Sequence, residues 1–278
     1  MARVGIVSDI HSMSTRPRPL LLIGNKRSGT SHLTRMLNFH PEVFVSHESD
    51  IVWILYQLRQ RTPFVCYPWD GPIGMNATLR ACADLLAPDG LSTVDSVAEA
   101  FHRCLDRLMT HGSAVQKAFP DKGPLRWIGD KKPVQQCDPQ LHAFVRGELP
   151  HARFLHIIRH PHAVVSSMSL AAQTWGPVEY WRTLSFDQLL DRWATHEEWV
   201  LAMKGDARVE TLTVRFEDVC ETPVHQMRRI FDFLNLDFPR RLQHAVQTHT
   251  RPQSVPTAIT INASTHPGVV AIMERYGY

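Results

Sequence analysis

Two glycines frame a short segment rich in hydroxyl and cationic side chains near the start of the chain. The segment runs from Gly24 to Ser31 and has the sequence GNKRSGTS. Backbone N–H groups in a glycine loop, with the positive end of a following helix, form a site for phosphate-like anions. Thr30 stands where nucleotide-hydrolysing loops have lysine, and the cations lie inside the loop instead, at Lys26 and Arg27. The segment therefore predicts an anion site without ordinary ATPase or GTPase chemistry.

An arginine and a serine eight residues apart form a second pair suited to phosphate. Arg159 ends an apolar run, and Ser167 follows on a predicted helix that begins near Pro161. A guanidinium fork and a hydroxyl donor match a phosphate dianion, and proline favours the first turn of a helix. Two such motifs in one chain favour a ligand with two phosphate-like groups over isolated solvated charges.

Both motifs resemble those of the sulfotransferase family. The segment Arg27 to Ser31 is similar to the family's 5′-phosphosulfate loop, although Asn25-Lys26 replaces the proline that usually precedes the basic residue. The segment Arg159 to Ser167 is similar to the 3′-phosphate element of the family, with His160 in place of the usual Asp or Asn. The match implies that eight residues bind the nucleotide: Lys26, Arg27, Ser28, Gly29, Thr30, Ser31, Arg159 and Ser167.

Two further segments extend the resemblance to roughly residues 20 to 240. Lys131, two residues before Pro133, matches the Lys-x-Pro element of the family, and the segment from Arg215 to Asp218 (RFED) is similar to its Arg-Tyr-Glu-Asp element. The resemblance implies an α/β fold, with a parallel central sheet flanked by helices, as in the P-loop NTPase-like sulfotransferases. We expect one domain over residues 1–278, in which 1–19 is an N-terminal extension and 62–127 a loop and helical cap over the acceptor site.

The same resemblance implies a PAPS-dependent sulfotransferase, where PAPS is 3′-phosphoadenosine 5′-phosphosulfate. A sulfuryl group would pass by in-line displacement to a hydroxyl of a small-molecule, lipid or carbohydrate acceptor, and PAP, adenosine 3′,5′-bisphosphate, would be released. Such a reaction needs a base for the acceptor hydroxyl and cations at the transferred group, but no metal ion. The sequence alone does not indicate the acceptor, the adenine pocket or the oligomeric state.

The catalytic base is expected just after the apolar stretch at 43–45. Glu48 is the first candidate and His47 the second, because related sulfotransferases have a glutamate in this region. We expect burial to raise the pKa of Glu48 toward neutrality; the alternative is that Glu48 only caps a helix starting near Asp50. Arg27 and Lys131 are expected to flank the transferred group, and Lys132 is expected to be a surface cation.

Short strands alternating with helices must position these residues. Apolar runs predict strands at 20–23, 153–158 and 210–216, while apolar spacing predicts helices at 49–61, 91–110, 164–170 and 222–236. Strand, glycine loop and helix follow one another at the first motif, and strand and helix at the second. This order indicates a parallel sheet covered on both faces.

Composition limits the function classes. The 278 residues carry 30 Lys and Arg against 27 Asp and Glu, a net charge of +3, so no basic nucleic-acid-binding segment is expected. The 5 cysteines form no C-x-x-C pair, which favours a reducing compartment. The early apolar run is too short to span a bilayer, and a cytoplasmic protein without a signal peptide or membrane span is expected.

Three other interpretations stay open. Asp9 and His11 imitate the first metal ligands of a metallophosphoesterase, although no further ligand series follows. A small-molecule P-loop kinase would share the fold, and a catalytically silent nucleotide-binding module would share the loop.

Several tryptophans could line an acceptor pocket or belong to the core: Trp53, Trp69, Trp127, Trp175 and Trp181.

Overall fold

A computed structural model describes residues 16–63, 65, 67–68, 96–111, 122–174, 183–250 and 261–278. Within them a single sheet contains five strands: β1 (Arg18–Gly24), β2 (Val43–His47), β3 (Trp127–Lys131), β4 (Arg153–Ile158) and β5 (Glu210–Arg215). Ten α-helices surround it in the described part of the chain: α1 (Thr30–Asn38), α2 (Ile51–Gln60), α3 (Val97–His111), α4 (Pro139–Glu148), α5 (Pro161–Thr174), α6 (Phe186–Lys204), α7 (Phe216–Glu221), α8 (Pro223–Phe233), α9 (Arg240–His249) and α10 (Pro267–Arg275). A 3₁₀ turn spans Gln135–Cys137.

The strands lie in the order β2-β3-β1-β4-β5, and every neighbouring pair is parallel. Lys131 pairs in register with Leu22 on one side and with His47 on the other. Because all five strands run in the same direction, their carboxyl ends meet at one edge of the sheet. Both sequence motifs follow strands at this edge, where ligands bind in open α/β sheets.

Strand β1 shows why the sheet is buried on both faces. Leu21 and Ile23 pack with helices α2 and α3 on one face, whereas Leu20 and Leu22 pack with α1 and α8 on the other. All four side chains have no exposed surface. An uninterrupted apolar run, without polar alternation, is typical of a central parallel strand covered by helices on both sides.

The predicted parallel α/β fold class is confirmed, with differences in its elements. The predicted helices at 49–61, 164–170 and 222–236 correspond to α2, α5 and α8, and the described part of 91–110 to α3. The third predicted strand, at 210–216, corresponds to β5, which ends at Arg215 because Phe216 already begins α7. Strands β2 and β3 were not predicted. In the described part of the chain, no helix is long and apolar enough to span a bilayer.

The structure describes only part of the expected N-terminal extension and of the expected cap region. Residues 1–15 of the expected extension lie outside the described residues, as does most of 62–127. The described helix in that range, α3, packs into the sheet core through Phe101 and Leu105, both fully buried. The single domain and the acceptor cap stay predictions.

Candidate active site

The glycine loop between β1 and α1 has a backbone that only glycine fits at two points. Gly24 has φ +153°, and a Cβ there would lie 2.4 Å from the carbonyl oxygen of Ile157 on β4. Gly29 has φ +97°, and a Cβ there would lie 2.2 Å from the ring of Phe216. Gly29 is the N-cap of α1 and supplies no side-chain cap. The first N–H groups of α1 are therefore left for an external acceptor, as an anion site requires.

Lys131 connects the loop to the end of β2. Its side chain is fully buried, and Nζ lies 2.6 Å from Glu48 Oε1, 3.1 Å from His47 Nε2 and 3.2 Å from Ser31 Oγ. Ser31 Oγ also lies 3.1 Å from His47 Nε2. Two other candidate catalytic side chains, those of Glu48 and His47, and one loop hydroxyl thus meet around the Lys131 ammonium group, whereas the side chain of Arg27 contacts Ser167.

Glu48 does not have the raised pKa that the sequence predicts. Burial acts to raise the pKa of this carboxyl, but the charge and hydrogen bond of Lys131 outweigh it and lower the pKa to about 2. The side chain keeps 46% of its surface exposed, so an acceptor can reach the carboxylate. Glu48 also has φ +53°, an unfavourable backbone conformation of the kind that clusters at functional sites.

The helix-cap alternative for Glu48 is not supported by the geometry. Asp50 is the N-cap residue of α2, and its side chain makes no capping hydrogen bond. The backbone N–H of Glu48 donates to the carbonyl of Lys131 at 2.8 Å, which holds the end of β2 against the end of β3. The carboxylate of Glu48 is directed at the Lys131 ammonium rather than at the start of the helix.

His47, the second candidate base, lies beside the same ammonium group. Burial, followed by the charge of Lys131, lowers the pKa of His47 below its usual 6.5. The imidazole is therefore neutral at neutral pH. A neutral ring can accept a proton, and Nε2 is the atom that faces Lys131 and Ser31.

The second motif lies against the other side of the loop. Arg27 has φ +69°, and its Nε donates to Ser167 Oγ at 3.1 Å. Arg159 Nη1 donates to the carbonyl oxygen of Arg27 at 3.1 Å, and its guanidinium stacks 4.6 Å from the ring centre of Phe216. The structure thus brings both predicted phosphate motifs together. Phe216, which the sequence reasoning did not assign to the site, supports both Gly29 and Arg159.

The remaining loop residues contribute in different ways. Ser28 is 1% exposed, and its hydroxyl donates to the carbonyl of Asn25 at 2.6 Å, so this side chain closes the loop on itself. Thr30 is buried in the first turn of α1, and Lys26 lies half-buried in the turn before it. These side chains pack within the loop and the helix start, whereas the side chain of Arg27 contacts Ser167 and that of Ser31 contacts Lys131.

A buried polar network anchors Asn25 at the start of the loop. Its Nδ2 donates to Glu197 Oε1 at 2.7 Å, and its Oδ1 lies 2.7 Å from His196 Nδ1. On its other side, Glu197 Oε2 lies 3.2 Å from Nε2 of His156 on β4. Glu197 and His156 have no exposed surface, and Asn25 has 4%. The network ties the phosphate loop to α6 and β4, and nothing in the sequence pattern indicated it.

Lys132 is not the surface cation that the sequence predicts. It is 8% exposed, and Nζ lies 2.8 Å from Asp50 Oδ1, which also accepts from Gln135 Nε2 at 2.8 Å. Next to it, Asp130 is fully buried and accepts from Ser46 Oγ at 2.5 Å. These polar groups hold β2, β3 and the following turn together, directly beneath Lys131 and Glu48.

Of the five tryptophans named above, the structure describes two. Trp127 belongs to the core, since it is 1% exposed and donates to the carbonyl of Leu234. Trp53 is partly buried, packs against the core and stacks on Tyr56. Three other tryptophans and the Asp9–His11 pair lie outside the described residues: Trp69, Trp175 and Trp181. Among the residues that are described, no group of three or more His, Cys, Asp or Glu side chains is placed to hold a metal ion.

The family model that matches this chain is described as "Sulfotransferase family" and covers residues 19–240. The protein-tyrosine sulfotransferase of Drosophila melanogaster is 23% identical over 247 residues, which are 87% of this chain and 43% of that protein. Protein-tyrosine sulfotransferase 1 of Danio rerio is 24% identical over 227 residues, 81% of this chain and 56% of that protein. The chain thus spans about half the length of these curated relatives.

Solved structures show the same fold. The sulfotransferase domain from the curacin biosynthetic pathway superposes with a TM-score of 0.55 at 16% identity, covering 95% of this chain and 99% of that domain. The sulfotransferase domain of the Synechococcus PCC 7002 olefin synthase gives 0.54 at 16% identity, covering 94% and 95%. The family match spans both phosphate motifs, Lys131 and the RFED segment. The chain therefore belongs to the sulfotransferase family.

Proposed function

We propose that this chain transfers a sulfuryl group from PAPS to a hydroxyl group of an acceptor. The observation that carries the proposal is the contact of Lys131 Nζ with Ser31 of the loop and with Glu48 at the end of β2. A single ammonium group, that of Lys131, thus contacts both the loop of the proposed anion site and the carboxylate of Glu48. A nucleotide-binding module without catalysis would have no use for a carboxylate at this position.

The residues present fit a donor with phosphate-type groups at two places. The loop and the N-terminus of α1 offer backbone N–H groups at one place. At the other, Arg159 and Ser167 lie on either side of Arg27, within reach of a second phosphate. Arginine forks and hydroxyls favour phosphate oxygens over neutral groups. We assign the 5′-phosphosulfate to the first place and the 3′-phosphate to the second.

The transfer that we propose is a single in-line displacement. PAPS supplies a sulfuryl group on a phosphate leaving group. The acceptor oxygen forms a bond to sulfur while the bond from sulfur to the phosphate oxygen breaks, and the hydroxyl proton passes to the base. Lys131 donates to the charge that develops on the transferred and leaving groups. Arg27, whose Nε donates to Ser167 in this structure, joins it there by leaving that contact. In this proposal, the charges of these two side chains provide the electrostatic stabilisation of the transferred and leaving groups.

We propose Glu48 as the base, although its pKa is lowered to about 2 by Lys131. Lys131 gives its hydrogen bonds to Ser31, His47 and Glu48. An anionic donor in the loop competes for the same ammonium, and each contact that it takes from Glu48 moves the carboxyl pKa back upward. His47 is the second candidate, because it is neutral and lies against Ser31.

The acceptor classes proposed from the sequence are small molecules, lipids and carbohydrates. The names of the two curated relatives add a tyrosine hydroxyl in a protein. The acceptor must approach from the side of Glu48, whose carboxylate is the partly exposed end of the cluster. A screen with labelled PAPS should include tyrosine-containing peptides beside hydroxylated lipids, natural-product cores and sugars.

The test uses the full chain with a chelator present throughout. We expect PAP to bind by calorimetry without added metal, and label to pass from PAPS to at least one acceptor. Glu48→Gln should lower turnover at least about a hundredfold, the usual contribution of a general base, while PAP binding is retained. His47→Gln serves as the matched control and should lower turnover less than tenfold. Absence of PAP binding would overturn the proposal, and transfer from ATP instead would favour the kinase alternative.

A further inference from the structure

A cavity of about 340 Å³ opens beside β5, away from the phosphate loop. Strand β5 is at the edge of the sheet, and the cavity wall includes residues from β5, α6, α7, α8 and α10. The described residues that line it include none of those that we assign to the donor site. Its volume is within the range of small-molecule sites and exceeds that of a single water by about tenfold.

Four cationic side chains converge on this cavity. Lys204 ends α6, Arg215 ends β5, Arg229 lies on α8 and Arg275 ends α10. Among the described lining residues, Asp218 is the one carboxylate, and it lies 3.9 Å from Arg215 Nε. The wall therefore carries an excess of three positive charges. Like charges brought together in this way repel one another, and an anion between them relieves that repulsion.

Part of this cationic surface is already held in position. Arg215 Nη1 donates to the carbonyl of Gly277 at 3.0 Å, and its guanidinium stacks 4.3 Å from the ring centre of Tyr278. Lys204 Nζ donates to Thr213 Oγ1 at 3.1 Å and lies 5.2 Å from the ring centre of Tyr276. Fixed cations lose less side-chain freedom when they bind a ligand than mobile ones do.

Two buried donors on the wall, the hydroxyl of Tyr276 and Nε of Arg215, make no hydrogen bond to any described residue. Arg215 Nε has only the ion-pair contact with Asp218 at 3.9 Å. Burial, with the nearby charge of Glu197, raises the pKa of Tyr276, so its hydroxyl remains a proton donor. Burial, followed by the charge of Arg275, lowers the pKa of Lys204, which shows that cations on this wall act on each other. Unpaired buried donors are unusual in folded proteins, and an acceptor is the group that satisfies them.

We propose that this cavity binds a small ligand carrying two or more anionic groups, such as a polyphosphate or a phosphate ester. Because the four cations lie on four different elements, they suit a ligand with separated negative charges better than a ligand with a single charge. The cavity is also larger than a single phosphate group needs. The site is separate from the donor site, so it can be occupied while PAP is bound.

A chain of polar contacts, partly hydrogen bonds and partly the close approach of His156 to Glu197, connects this cavity to the phosphate loop. Lys204 donates to Thr213, whose Oγ1 lies 3.2 Å from His156 Nδ1. His156 contacts Glu197, and Glu197 accepts from Asn25 at the start of the loop. A ligand that draws Lys204 away from Thr213 acts on the first link of this chain.

The test titrates inorganic tripolyphosphate into the full chain by calorimetry, with PAP at saturation to fill the donor site. We expect one further binding event that weakens as salt rises, since screening reduces charge attraction. Arg229→Glu and Arg275→Glu should each weaken it at least about tenfold. Arg228→Glu is the matched control, because it makes the same charge change at the neighbouring position on α8, where the arginine lies against Phe238; it should change binding less than twofold.

Two results would overturn the inference. One is the absence of tripolyphosphate binding to the PAP-saturated chain at low salt. The other is an equal effect of the Arg228 and Arg229 variants, which would mean that net charge alone decides binding. Both arginines are exposed, so we expect the variants to fold, and thermal unfolding checks this. Comparing the variants remains valid even if PAP does not bind, which keeps this test distinct from that of the proposed function.

Discussion

Removing the side chain of Asn25 tests whether the buried network positions the phosphate loop. Asn25→Ala leaves Glu197 Oε1 and His196 Nδ1 without the contacts of 2.7 Å that they make now. A buried polar group that loses its partner costs about 1–3 kcal/mol. With two such groups, we expect the free energy of unfolding to fall by about 2–6 kcal/mol.

The same substitution should weaken donor binding by about tenfold or more. The carbonyl of Asn25 accepts from both the hydroxyl and the N–H of Ser28, at 2.6 and 3.2 Å. The position of Asn25 therefore fixes the turn that leads to Gly29 and α1. Asn25→Asp should be at least as harmful, because it places a second carboxylate against Glu197, which is fully buried.

Asn38→Ala is the matched control for this experiment. Asn38 is 5% exposed, and its side chain makes two hydrogen bonds of 2.8 Å to the backbone of Val45. Its loss should therefore lower stability by a similar amount without moving the loop. Urea unfolding measures stability, and calorimetric titration with PAP at low temperature measures binding. Equal PAP affinity in both variants, despite equal losses of stability, would refute the positioning role of Asn25.

Three further predictions follow from the site. Arg159→Ala should weaken PAP binding about tenfold to a hundredfold, the worth of one charged hydrogen bond, while Arg126→Ala, at an exposed ion pair with Glu42, should leave it unchanged in the same titration. Gly29→Ala should lower stability by about 1–3 kcal/mol in urea unfolding and weaken PAP binding, because its Cβ would enter the ring of Phe216; unchanged values would contradict the tight loop geometry. With Glu48 as base, kcat/KM should stay level as pH falls from about 8 to about 6, because a base works in its deprotonated form and the pKa of Glu48 is about 2; a decline within this range that His47→Gln abolishes would assign the role to His47, whose pKa is lowered by burial and by Lys131.

The sequence predicts the elements that bury apolar runs better than those that bury charge. Strands β1 and β4 were predicted from their runs of mainly apolar residues. Strand β3 was not, because its sequence WIGDK ends in Asp130 and Lys131, which read as solvent-exposed. Both are fully buried, since Ser46 and Glu48 on the neighbouring strand and loop supply their partners. A pattern along the chain does not show a partner that lies more than 80 residues away.

In the candidate site, too, features that depend on neighbouring residues in the sequence were predicted, whereas features that depend on distant partners were not. The two phosphate motifs were predicted because their residues lie close together in the chain, and the structure places Arg159 against Arg27. The lowered pKa of Glu48 and the burial of Lys132 were not predicted. Each depends on a contact across the sheet, with Lys131 in one case and Asp50 in the other. Residue type and spacing thus indicate which groups can act, and the tertiary pairing sets their charge.

The insertion of β3 between β2 and β1 has a consequence for how this protein folds. Lys131 is 83 residues from Glu48 and 100 residues from Ser31 along the chain, so the cluster around Lys131, our candidate catalytic centre, forms only after β3 has entered the sheet between two earlier strands. Parallel pairings across such distances are slow compared with the formation of helices. During refolding, the contacts of Lys131 with Glu48 and Ser31 therefore require β3 to be in the sheet, and a chain that has gained its helices but not β3 lacks them.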